Sequence, residues 1–96
     1  PTPDVNIEES ARSFQLSGAD LRGQRRNKKT AMARQLAMYL MRNLTNLPLK
    51  EIGEEFGGRN HATVLSSIRK VEELLKSDPD ISATVRDITS NINSKN

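Results

Sequence analysis

The residues best suited to chemistry in this chain are Arg59, Asn60, His61, Ala62 and Thr63, which follow Phe56-Gly57-Gly58 without a gap. They offer hydrogen-bond donors and acceptors but no strong nucleophile, so the chemistry they suit is recognition. The stretch from Phe56 to Leu65 reads as the end of a short helix, a glycine turn and the start of a second helix. A helix presented in this way, with small hydrogen-bonding residues at its mouth, is how a helix-turn-helix offers its second helix to a major groove.

What is missing narrows the field. His61 is the only histidine and there is no cysteine, so thiolate metal sites, disulfides and common catalytic pairs have no residues to build them. No Gly-x-x-x-x-Gly-Lys phosphate loop occurs. Neither an enzyme nor a cofactor or metal site is expected. No apolar run is long enough to span a bilayer and no leader peptide is visible, so a cytoplasmic, nucleoid-associated location is expected.

The net charge is only +3, but its distribution is uneven. Between Leu21 and Lys50 lie eight basic residues (Arg22, Arg25, Arg26, Lys28, Lys29, Arg34, Arg42 and Lys50) and no acid. Segregation of this kind favours one positive surface facing a polyanion. A solvated basic helix and loop is the plainer alternative.

Positioning these residues falls to helices. Ninety-six residues, 34% of them hydrophobic and 3% aromatic, allow one small aliphatic core. Residues 1–6 read as a disordered lead-in, 7–93 as the domain and 94–96 as a tail. Asn6 is a candidate cap for a first helix reaching about Phe14, with Ile7, Ala11 and Phe14 on one face. A short helical piece follows Ser17, and Gly23 to Lys29 forms a basic loop.

Ala33, Leu36, Ala37, Leu40 and Leu44 recur at helical spacing and predict a long central helix from about Lys29. Pro48 suits the start of the next helix, with Leu49, Ile52 and Phe56 inward. Asn60 is a good cap for a helix to about Lys76, striped by Val64, Ile68, Val71 and Leu75. Asp78-Pro79 breaks it, and a last helix carries Ile81, Val85, Ile88 and Ile92. The expected fold is an all-α, compact five- to six-helix bundle.

Leu49 to Val71, LKEIGEEFGGRNHATVLSSIRKV, closely resembles the signature of the C-terminal DNA-binding domain of the bacterial replication initiators of the DnaA family. The segment from Ala33 to Leu40, Leu44-Thr45 and the Arg25-Arg26 loop share the likeness, which covers roughly residues 7–92. The resemblance implies a Trp-repressor-like helix-turn-helix that binds short asymmetric boxes in double-stranded DNA at a replication origin. It implies that Arg26 enters the minor groove and that Asn60, His61 and Ala62 face major-groove base edges, with Lys50 at the groove as in some relatives. It assigns phosphates to Arg34, Gln35, Arg42 and Thr63, with Arg25 and Lys28 assisting. ATP is expected only in an ATPase region of a parent initiator, not in this segment.

Many family members carry Asp-His-Thr where this chain has Asn60-His61-Ala62. Asp accepts from cytosine N4, whereas Asn can also donate and Ala keeps only apolar contact, so a shifted box preference is expected. Several assignments have plainer alternatives. Capping and base contact compete for the same atoms of Asn60, and Arg34 and Gln35 could be the polar edge of a core helix. Arg59 suits a phosphate or a salt bridge to Glu54 or Glu55. Two other functions fit the same features: a DnaA-like transcription regulator with another target, and a basic module docking on protein or acidic phospholipid. The asymmetric site favours a monomer on DNA.

Overall fold

The computed structural model describes residues 2–95. Among these residues there are six helices and no strand. They are α1 (Pro3–Arg12), α2 (Gly18–Arg22), α3 (Lys28–Leu44), α4 (Leu49–Glu55), α5 (His61–Ser77) and α6 (Pro79–Asn93).

Five of the six helices start at a side chain that satisfies free N–H groups, whereas α4, behind Pro48, has no side-chain cap. The Asn27 side chain accepts from Thr30 N–H at the head of α3, and Asn60 accepts from Thr63 N–H at the head of α5. Ser17 and Asp20 form a reciprocal capping box on α2. Asp78 ends α5 and, through its carboxylate, also caps α6.

The apolar stripe of α3 is the hub, packed against α1, α2, α4, α5 and α6. Ala33, Ala37, Met38 and Met41 meet Ile7, Ala11, Leu21, Ile52, Phe56, Val64 and Ile68 in the main core. At one edge of the α3 stripe, Leu40 joins Ile88 and Ile92 of α6 in a second cluster. Met32 is half-buried, whereas Met38 and Met41 are fully enclosed.

The lead-in expected over residues 1–6 needs correction. Pro1 lies outside the described residues, but Thr2 caps α1 and Pro3 to Asn6 belong to the helix. Proline suits a first helical position because the N–H it lacks has no intrahelical partner there. Asn6 is not the cap: it is fully buried inside α1, and its Nδ2 donates to the Thr2 carbonyl at 3.1 Å. The helix also stops at Arg12, short of Phe14, and Gln15 takes a positive φ in the turn that follows.

Candidate nucleic-acid interface

The turn between α4 and α5 folds onto one carbonyl. Gly53 O accepts from the N–H groups of Phe56, Gly58 and Arg59 at 3.1, 3.1 and 3.0 Å. Gly57 and Gly58 have φ of 77° and 82°, the left-handed region that glycine enters without a Cβ penalty. At Gly53 the limit is space: a Cβ there would lie 1.9 Å from the Arg59 carbonyl oxygen. Phe56, fully buried, anchors the turn to the core.

From this turn the first four residues at the α5 side, Asn60 to Thr63, stand exposed together. Asn60 Oδ1 accepts from Thr63 N–H at 2.9 Å, so the side chain is a true cap. One lone pair of its carbonyl oxygen is thereby used, while Nδ2 has no acceptor among the described residues. His61 and Ala62 occupy the first two helical positions. No acid lies in this first turn, so the positive end of the helix is left to meet an external anion.

The basic loop is the second exposed element. Gln24 to Asn27, including Arg25 and Arg26, are all exposed, and so are Lys28 and Lys29, which the structure places in the first turn of α3 rather than in the loop. The loop has no buried side chain of its own and is held by its carbonyls. Arg34, only 7% exposed, reaches from α3 and donates to four carbonyls, two at the end of α2 and two in the segment between α2 and α3. Nε donates to Leu21 O at 2.7 Å and Nη1 to Arg25 O at 3.0 Å, while Nη2 donates to Asp20 O at 3.0 Å and Gly23 O at 3.2 Å. Four of its five N–H donors are thus used inside the fold, so the phosphate role expected for Arg34 has at most one donor left.

Arg59 reaches the same loop from the other side. Its Nη2 donates to Gly23 O at 2.7 Å and its Nη1 to Phe56 O. The salt bridge to Glu54 or Glu55 that the sequence also allowed is not formed among the described residues. Burial, and then the neighbouring Arg59 charge, pulls the Arg34 pKa below its ordinary value. Burial and then the Arg26 charge do the same to Arg59.

The predicted residues thus fall into two groups. The root of the loop that carries Arg25 and Arg26, and that leads into Lys28 at the start of α3, is fastened to the turn that precedes Asn60, His61, Ala62 and Thr63. Arg42 lies fourteen residues along α3 from Lys28, about 21 Å at helical rise. It is exposed and donates to Leu47 O at 3.1 Å, which brings it towards exposed Lys50 at the start of α4. Gln35 is half-buried, with Oε1 enclosed and unpartnered, so only its Nε2 is left for a phosphate.

A family model for the bacterial DnaA protein helix-turn-helix matches residues 7–71, from α1 into α5. The chain belongs to that family. It is 44% identical over 92 residues to the chromosomal replication initiator protein DnaA of Crocosphaera subtropica, covering 96% of this chain and 20% of that protein. The DnaA of Gloeothece citriformis is 42% identical over 91 residues, 95% of this chain and 20% of its own length. That of Lactiplantibacillus plantarum is 42% identical over 87 residues, 91% of this chain and 19% of its own. The chain therefore spans about one fifth of the length of these DnaA relatives. The matched residues take in α4, the Gly57-Gly58 turn and α5 as far as Val71, and α6 lies beyond them. No helix is long and apolar enough to cross a membrane.

Proposed function

We propose that this domain binds double-stranded DNA sequence-specifically at origin boxes, as the DNA-binding part of a replication initiator. The observation that carries the reading is the pairing of two exposed elements: a basic loop fastened beside the capped, acid-free mouth of α5. In this reading α5 enters the major groove, with Asn60, His61 and Ala62 at base edges, and Arg26 reaches the flanking minor groove. A narrow minor groove concentrates negative potential and favours an inserted arginine. Arg25, Lys28 and Thr63 hold phosphates around α5, while Arg42 and Lys50 meet the duplex from the far end of α3 and the start of α4. These cations supply salt-dependent affinity, and the few base-facing groups supply sequence choice.

No large hydrophobic side chain is exposed among the described residues. That supports a domain acting as a monomer on DNA, and it disfavours a membrane-surface module, which needs an apolar face to insert. Acidic phospholipid would be met by charge alone. The proposed setting is the bacterial cytoplasm, at the nucleoid.

The deciding experiment is binding to a duplex carrying the family's box against a scrambled duplex across a salt series. A preference for the box that persists at moderate salt and collapses in His61→Ala and Arg26→Ala supports the reading. Equal binding to both duplexes, fading together with salt, sinks it for that box. Stronger capture by anionic vesicles than by either duplex would favour the membrane-surface alternative.

A further inference from the structure

Arg59 joins two parts of the proposed interface that are far apart in sequence. One guanidinium nitrogen holds Phe56 O at the end of α4, and the other holds Gly23 O, 36 residues away at the root of the basic loop. The surfaces abut as well: a Cβ on Gly57 would stand 2.4 Å from Arg22 O. The loop itself is exposed throughout residues 24–27, and on its other side Arg34 holds Arg25 O.

We infer that Arg59 is a positioning residue, a strut that holds the basic loop at a set distance from the mouth of α5 so that Arg26 and His61 engage the duplex in register. The inference rests on the DNA-binding reading above. A loop left free would have to be ordered at the moment of binding, at a cost in affinity. A planar guanidinium suits the task because it can donate to two carbonyls in divergent directions, whereas a lysine ammonium is a point charge on a flexible stem. Nη1 and Nη2 each spend one N–H within the fold, and in this role Arg59 acts on DNA through Arg26. The closeness of the Arg26 charge, which depresses the Arg59 pKa, fits that placement.

The test is a double-mutant cycle between Arg59→Lys and Arg26→Ala on the box duplex, with Arg59→Ala as a further variant. Arg59→Lys keeps the charge, so its salt slope should match the wild type while box affinity falls roughly tenfold. Arg26→Ala should then cost far less in the Arg59→Lys background than in the wild type. In the DNA-free protein, backbone amides from Gly23 to Asn27 should become more mobile on the nanosecond timescale, while those of α3 and α5 stay rigid. Losses that simply multiply, or a loop as ordered in Arg59→Lys as in the wild type, would overturn the inference. So would a salt slope reduced by about one in Arg59→Ala with loop order unchanged, which marks a direct phosphate contact. A wild type that does not prefer the box refutes the DNA-binding reading instead, and the amide measurement still judges whether Arg59 holds the loop.

Discussion

Arg34 and Arg59 donate to the same carbonyl oxygen, that of Gly23, at 3.2 and 2.7 Å. Neither has a carboxylate partner among the described residues, so two guanidinium charges are held together by neutral acceptors. The arrangement fixes the loop from two sides without an acid at either guanidinium, which suits a surface that meets a polyanion.

Arg34→Met should therefore destabilise the domain by about 3 kcal/mol, because it removes four charge-assisted bonds and strands buried carbonyls. Urea unfolding of the variant measures this directly. A cost under about 1 kcal/mol would mean that the loop carbonyls find water and that Arg34 does not hold them.

The two glycine substitutions should differ in kind. Gly53→Ala drives a methyl into the Arg59 carbonyl and should cost about 3 kcal/mol or more, with the turn distorted. Gly58→Ala meets no neighbour within 4 Å and pays only for its positive φ, about 1–2 kcal/mol. Thermal melts of the pair, with DNA binding measured beside them, check the ranking.

At Asn60 the cap decides what the outer face can read. With one lone pair of Oδ1 bonded to Thr63 N–H, the group left wholly free is Nδ2, a donor. The base opposite should carry an acceptor, such as purine N7, guanine O6 or thymine O4, and cytosine N4 should be rejected. Asn60→Asp keeps the cap and turns the outer atom into an acceptor. It should shift preference at one position towards cytosine by about 1–3 kcal/mol. Asn60→Ala should lose about 1 kcal/mol of stability with the cap. A panel of duplexes varied one base pair at a time would show either a switch confined to one position or none.

Ser17 and Asp20 give the fold an acid-sensitive joint. Asp20 Oδ2 accepts the Ser17 backbone N–H at 3.0 Å, and this bond holds the Asp20 carboxyl below its ordinary 3.8. Burial opposes the shift, and the Ser17 hydroxyl with the Arg25 and Lys29 charges supports it. Because the folded value lies below the unfolded one, the stabilisation is full above the unfolded value. It is lost as pH falls through the folded value. The stability gap between wild type and Asp20→Asn should therefore be wider at about pH 6 than at about pH 3, as read by urea melts.

The parts of this fold that the sequence announces are the ones governed by near neighbours. The stripes of α3 and α5, the Gly57-Gly58 turn and the Asn60 cap each depend on residues within four positions, and each could be read from spacing. The start of α1 depends on near neighbours too, but Pro3 reads equally as a disorder cue and as a first helical residue, and Thr2 is a less conspicuous cap than Asn6. The struts were not legible at all. Arg34 and Arg59 bind backbone carbonyls 9 to 14 and 36 residues away, and a carbonyl carries no side-chain signature. The one available hint was that Arg34 sits within an otherwise apolar stretch of α3, where a charge must find partners if it is buried.

A single residue, Asp78, separates α5 from α6 and caps both. The helices are therefore geared together: their relative phase is set by one φ,ψ pair rather than by a loop that could absorb slack. Adding or deleting one residue at this joint turns α6 by about 100° about its own axis. Ile88 and Ile92 would swing away from Leu40, and polar neighbours would take their place against α3. Chain length at position 78 is thus as tightly specified as residue type anywhere in the core.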